Sequence, residues 1–123
     1  MLKNVDRAFG VLLILAAAGH SLGSLQAYQL TELIWALCAS LYAVLLAALN
    51  LLRVNRPEDR SLAWIAFAGS AVWVIVALAF NLSIGNALDP RGLTHAVIAL
   101  VLAVFSLRTA TGRSVMPLTA MAG

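Results

Sequence analysis

Four long apolar segments, separated by short polar stretches, constrain this chain more than any other feature of its sequence. They run over about 8–25, 31–52, 61–84 and 90–109. A transmembrane helix needs about 20 apolar residues, and in lipid a spanning segment must satisfy its own backbone hydrogen bonds, which a helix does. The sequence therefore predicts an all-α integral membrane protein, a single transmembrane domain over residues 1–123 with four helices in an up-and-down bundle.

Composition supports the membrane prediction over a water-soluble one. Hydrophobic residues make up 63% of the chain and charged residues 11%, against roughly half and a quarter in soluble domains. A chain of 123 residues lacks the interior volume to hide that much apolar surface from water. The lipid bilayer is therefore the first partner to expect, and no separate soluble domain is predicted.

The basic residues predict how the bundle is oriented. Arg91 alone falls on one side of the predicted spans. The other seven basic residues fall on the opposite side: Lys3, Arg7, Arg53, Arg56, Arg60, Arg108 and Arg113. Short cytoplasmic segments are enriched in Lys and Arg, so both termini, the 53–60 loop and a flexible 110–123 tail are expected in the cytoplasm, with the bundle in a bacterial inner membrane. The basic residues form no stripe interleaved with stacking aromatics, which argues against nucleic acid.

Two histidines are the most informative polar residues. His20 lies about five residues before the end of the first span, and His95 lies about five residues into the fourth. At about 1.5 Å rise per residue, both rings are expected roughly 7–8 Å below the outer boundary. The first and fourth helices of an up-and-down bundle are usually neighbours, so the two imidazoles are predicted to meet. Ionisable groups retained inside a membrane often mark a functional site.

Other residues of the outer half are expected to support this site. Gly19 and Gly23 form a GxxxG pattern that, with Ala16, predicts close helix packing. Asp89 followed by Pro90 is typical of the start of a helix, because proline at the first helical position loses no hydrogen bond. Three polar residues are expected to line a pocket beside the histidines: Ser24, Asn81 and Asn86.

Four interpretations of the histidine pair remain open at this point. His20 and His95 are suitable axial ligands for a b-type haem held between helices. With Glu32 or Asp89 they could instead bind a transition metal such as zinc or copper. A third interpretation is a pocket for a quinone or another lipophilic molecule, with a histidine as hydrogen-bond donor. In the fourth, the histidines only hold neighbouring helices together.

The sequence favours a binding function over catalysis. It contains no nucleophile elbow, phosphate-binding glycine loop, HExxH motif or paired catalytic carboxylates. The expected function is therefore that of a small accessory subunit or ligand-binding membrane protein, whose partners are other membrane subunits or a second copy of the chain. The redox protein with haem or metal is the first alternative.

A small drug or metabolite transporter acting as a dimer is the second alternative. In length and number of spans the chain resembles the small multidrug resistance transporters. Those transporters carry a membrane-embedded glutamate in their first helix, and the first span here has none. Glu32, near the interface of the second span, is a poor replacement.

Overall fold

The computed structural model describes residues 2–112, and within them the chain forms four α-helices and no strand. They are α1 (Leu2–Ala27), α2 (Leu30–Asn55), α3 (Arg60–Ser83) and α4 (Pro90–Thr111). Each helix is long and apolar enough to cross a membrane. The predicted all-α fold with four helices of spanning length is confirmed.

The helices extend beyond the predicted spans at several ends. α1 begins at Leu2 instead of near residue 8, and α2 continues to Asn55, which shortens the predicted 53–60 loop to residues 56–59. The predicted tail begins later too, because α4 continues to Thr111, and residues 113–123 lie outside the described part of the chain. Polar residues at a helix end lower the mean hydropathy of a segment without ending the helix. Hydropathy therefore underestimated the lengths of these helices.

Side-chain caps begin the two later helices. The Asp59 carboxylate accepts a hydrogen bond from the backbone N–H of Leu62 at the start of α3. At the start of α4, Asp89 is the N-cap and Pro90 occupies the first turn, which confirms the predicted helix start. A carboxylate at this position satisfies backbone donors that have no partner within the helix.

The helices pack in a ring, each against its neighbours in sequence, and α1 closes the ring against α4. Arg53, near the end of α2, contacts Asp6 near the start of α1 and Thr109 near the end of α4. His20, late in α1, faces His95, early in α4. Neighbouring helices therefore run antiparallel. The bundle has a terminal end, with the start of α1, the end of α4 and residues 56–59, and a turn end, with residues 28–29 and 84–89.

An apolar layer fills the middle of the bundle. Leu13, Leu46 and Leu102 are almost fully buried there and belong to one contiguous hydrophobic cluster. On the outside, many large apolar side chains are exposed, including Leu15 and Trp35. Soluble monomers rarely expose such continuous apolar surface, so this exterior is consistent with a multi-pass membrane protein.

Candidate functional site

The turn end brings the two histidines together, as their positions in the sequence predicted. The ring centroids of His20 and His95 are 6.1 Å apart and the rings are nearly perpendicular. Both side chains are partly buried. The pair therefore lies where α1 and α4 face each other near the turn end.

Trp73 of α3 adds a contact that the sequence analysis did not predict. Its indole Nε1–H donates a hydrogen bond to Nδ1 of His95 over 3.3 Å. An indole nitrogen can only donate, so Nδ1 of His95 acts as the acceptor and the proton of the neutral imidazole lies on Nε2. The Trp73 contact thus makes His95 a hydrogen-bond donor through Nε2.

The ring of Tyr42 in α2 packs against the ring of Trp73. The two ring centroids are 5.2 Å apart, and the Tyr42 hydroxyl donates a hydrogen bond to the backbone carbonyl of Gly69. His20, His95, Trp73 and Tyr42 form the histidine cluster, to which every helix of the bundle contributes one side chain.

A cavity of about 420 Å³ opens between α1 and α4 beside this cluster. Ser24 lines it and donates its hydroxyl to the backbone carbonyl of His20. Its remaining lining residues are small, aromatic or basic: Ala16, Gly19, His20, Gly23, Ala27, Tyr28, Pro90, Arg91, Thr94 and His95. Pockets for small molecules typically measure roughly 300–1,000 Å³, so the cavity is large enough for a ligand.

The close helix packing predicted for Gly19 and Gly23 is not made against another helix within residues 2–112. A Cβ atom added at either glycine would meet nothing within 4 Å. Both glycines line the cavity instead. Among residues 2–112 the tightest approach at a glycine is at Gly92, where an added Cβ would clash with Oδ1 of Asn81. The GxxxG pattern therefore leaves space between α1 and α4.

The other predicted pocket residues lie in the 84–89 connection or next to it. Asn81 is fully buried and donates through Nδ2 to the backbone carbonyls of Ala87 and Asp89. Asn86 is exposed and accepts a hydrogen bond from the backbone N–H of Leu88. Neither asparagine lines the cavity. Asn81 instead ties the connection to the end of α3.

The two carboxylates proposed as additional metal ligands lie in different surroundings. Glu32 is exposed in the first turn of α2. Asp89 is paired with Arg91 at 2.9 Å, and hydrogen bonding from that guanidinium lowers the pKa of the Asp89 carboxyl. Residues 2–112 contain no group of three or more His, Cys, Asp and Glu side chains placed to hold a metal ion.

The terminal end contains a second polar cluster that the sequence analysis missed. Arg53 is only 1% exposed, and its Nη2 lies 2.6 Å from the carboxylate of Asp6. The remaining members are Asn50, Ser70, Ser106 and Thr109, joined to Arg53 or to one another by hydrogen bonds. Together these six residues form the arginine cluster. The sequence pattern indicated only an orientation signal at Arg53.

Comparisons with protein-family models, with curated proteins and with solved structures each find no match. A function must therefore be inferred from the geometry of the two clusters.

Proposed function

We propose that this chain spans a membrane four times with both termini in the cytoplasm, and that it is an accessory or ligand-binding protein without catalytic activity. Four apolar helices support the membrane location. The basic residues that gather at the terminal end support the orientation.

Single-cysteine labelling tests this orientation. Cys38 is the only cysteine of the chain, so a Cys38→Ala background can carry either Asn86→Cys at the turn end or Glu58→Cys at the terminal end. A membrane-impermeant maleimide added to intact cells should label the first and spare the second. The reverse pattern would invert the proposed orientation.

The cavity between α1 and α4 is proposed to bind a lipophilic molecule that carries a hydrogen-bond acceptor, such as a quinone. The observation that carries this proposal is the Trp73 hydrogen bond, which makes Nε2 the proton-bearing nitrogen of His95, a residue that lines the cavity; a ligand would compete for this donor with the backbone carbonyl of Ala16. His20 lies across the same cavity. A quinone carbonyl accepts such a hydrogen bond, and its ring is flat enough to lie along a glycine-lined face.

Quinone binding is measured through the fluorescence of Trp73, because its ring lies 5.8 Å from that of His95. Trp35→Phe and Trp64→Phe, both at exposed positions, leave Trp73 as the only tryptophan. Decylubiquinone should then quench the remaining fluorescence in a saturable manner. His95→Phe removes the donor and should weaken binding about fivefold, the equivalent of one hydrogen bond of about 1 kcal/mol.

Filling the cavity provides a matched pair of variants. Gly23→Leu places a large side chain in the cavity without displacing a neighbouring atom at Cβ, and it should abolish saturable quenching. Ala18→Leu adds the same bulk to an exposed position of α1 that does not line the cavity, and it should leave binding unchanged. Non-saturable quenching, or equal effects of the two variants, would count against the pocket.

A haem or metal centre is the second candidate, and the spacing of the histidines is the observation that favours it. With metal–nitrogen bonds of about 2 Å, two imidazoles on one ion place their centroids roughly 5–6 Å apart, close to the observed 6.1 Å. A histidine ligand normally donates its second N–H to an acceptor, whereas Nδ1 of His95 accepts one. The hydrogen bond therefore favours the quinone over the metal.

An absorbance spectrum and metal analysis of the purified protein separate the two candidates. The quinone proposal predicts no Soret band and no stoichiometric transition metal. A Soret band that His20→Ala and His95→Ala both remove would establish the haem site instead.

The accessory function is tested by mass analysis of the protein purified in mild detergent. With little chain outside the four helices, partners can contact mainly the exposed helix faces. A co-purifying membrane subunit or a second copy of the chain supports the accessory function, and a stable monomer without either would contradict it.

A further inference from the structure

The terminal end holds a second cavity, separate from the histidine cluster, with a volume of about 360 Å³. It opens between the start of α1, the 56–59 connection and the end of α4. Four basic residues line it, namely Lys3, Arg53, Arg60 and Arg108, against two acidic ones, Asp6 and Glu58. The cavity therefore carries an excess of two positive charges.

The charges of this cavity are arranged in two levels. Arg53 lies at its buried base, where Asp6 neutralises it. Within the described chain, the Arg53 Nε–H has no hydrogen-bond partner, so the guanidinium keeps one unused donor. Lys3 and Arg108 are exposed near the mouth, and no ion pair involving either is formed within residues 2–112. The positive charge available to a ligand is therefore concentrated at the mouth.

Apolar surface accompanies these charges. Leu2, Val54, Pro57 and Phe105 also line the cavity. A free inorganic anion would leave this apolar surface uncovered, whereas a phospholipid carries its phosphate on a glycerol that also bears two apolar acyl chains. Basic pockets between helices at the cytoplasmic face of a membrane suit anionic lipid headgroups.

We propose that this cavity binds the phosphate group of an anionic phospholipid, with Lys3 and Arg108 contacting the phosphate and the apolar wall contacting the glycerol and upper acyl chains. The proposal requires membrane insertion but is independent of the ligand at the histidine cluster. Substituting Lys3 or Arg108 should leave the turn end unchanged. A variant that loses lipid binding but still binds quinone therefore shows that only the lipid site is affected.

The experiment measures thermal unfolding of the detergent-solubilised protein during titration with phosphatidylglycerol, phosphatidylcholine or inorganic phosphate. Phosphatidylglycerol should raise the unfolding temperature in a saturable manner, and the other two should not. Each basic residue removed should weaken the apparent lipid affinity about fivefold, so that Lys3→Gln with Arg108→Gln weakens it roughly 25-fold. Both positions are exposed, and retained helicity by circular dichroism confirms that the variant folds.

Arg56→Gln is the matched control, because Arg56 is an exposed base in the 56–59 connection that does not line the cavity. It should bind phosphatidylglycerol as the unmodified protein does. If the control and the double variant lose equal affinity for phosphatidylglycerol, the effect is due to general surface charge and the proposed site is wrong. Equal stabilisation by phosphatidylcholine would overturn the headgroup assignment, and stabilisation by inorganic phosphate alone would overturn the lipid as the source of the phosphate.

Discussion

The histidine cluster and the arginine cluster lie at opposite ends of the same bundle, and they differ in how completely their polar groups are paired. In the arginine cluster, Arg53, Asn50, Ser70 and Ser106 are almost fully buried and hydrogen-bonded across helices. In the histidine cluster the Trp73–His95 contact is the one hydrogen bond between side chains, and the Tyr42 hydroxyl donates to the backbone of Gly69. Of the buried side-chain atoms of the arginine cluster, only Nε of Arg53 lacks a hydrogen-bond partner within the described residues. A network that is paired this fully stabilises a fold, whereas a sparsely paired one leaves donors and acceptors for a ligand.

The apolar layer keeps the two clusters apart. Leu13 lies seven residues from both Asp6 and His20, and Leu102 lies seven residues from both His95 and Thr109. Residues seven apart share one face of a helix and are separated by about 10 Å along its axis. The inward faces of α1 and α4 thus repeat the order polar, apolar, polar, so each cluster can change without altering the other.

The largest effect expected from this comparison is at Arg53. Arg53→Met removes one partner of a buried ion pair and leaves the Asp6 carboxylate without its counter-charge. Such a change typically costs about 3–5 kcal/mol. We expect this loss in the free energy of unfolding, measured by denaturant titration in detergent.

Two further variants show whether pairing causes the loss. Arg56→Met changes an exposed arginine nearby and should stay within about 0.5 kcal/mol of the unmodified protein. Asp6→Leu with Arg53→Met replaces both charges by apolar groups and should recover most of the stability. If the double variant is as unstable as Arg53→Met, the ion pair is not what stabilises the terminal end.

An intermediate effect is expected at the glycines of the turn end. Gly92→Ala forces a methyl group against Oδ1 of Asn81 and the backbone carbonyl of Ala77, and overpacking of this kind costs roughly 1–3 kcal/mol. Gly23→Ala meets no atom within 4 Å and should be neutral or stabilising by up to about 1 kcal/mol. The same unfolding titration compares them. Equal losses of unfolding free energy would mean that Gly23 is packed as tightly as Gly92, which would contradict an open cavity between α1 and α4.

The sequence predicted the positions of the histidines but not their partner. Helix counting placed His20 and His95 at one depth, because both lie near ends of spans that the apolar pattern defines. Trp73 carries no comparable signal: an indole fits an apolar helix equally well whether its N–H has a partner or not. Its contact depends on the rotation of α3 about its axis, which packing decides.

The arginine cluster was missed for a different reason. Hydropathy placed Asp6 and Arg53 just outside the spans, where a charged residue needs no explanation beyond orientation. The helices continue through both residues, and the two side chains turn inward to pair. The seven-residue spacing from Asp6 through Leu13 to His20 was a usable signal, since it places Asp6 on the inward face of α1.

The smallest effect concerns the second ion pair, Asp89 with Arg91, in which the Arg91 side chain is 60% exposed. Hydrogen bonding from Arg91 lowers the pKa of Asp89 below its ordinary value of 3.8. When folding lowers the pKa of a carboxyl, its charge stabilises the fold at any pH above the pKa of the unfolded state. That stabilisation is lost as the pH falls from the pKa of the unfolded state through the lower pKa of the folded state. The unfolding temperature should therefore decrease less below about pH 4 in Asp89→Asn than in the unmodified protein.

Asparagine caps a helix about as well as aspartate, so Asp89→Asn changes the charge while retaining the cap. Thermal unfolding between about pH 3 and 7 measures the difference. Added salt should weaken the contribution of this pair, in which Arg91 is exposed although Asp89 is buried, and leave that of Asp6 with Arg53 almost unchanged, because mobile ions screen exposed charges more than buried ones. Identical pH profiles for the two proteins, or equal salt sensitivity of the two pairs, would contradict the contrast between a half-exposed pair at the turn end and a fully buried pair at the terminal end.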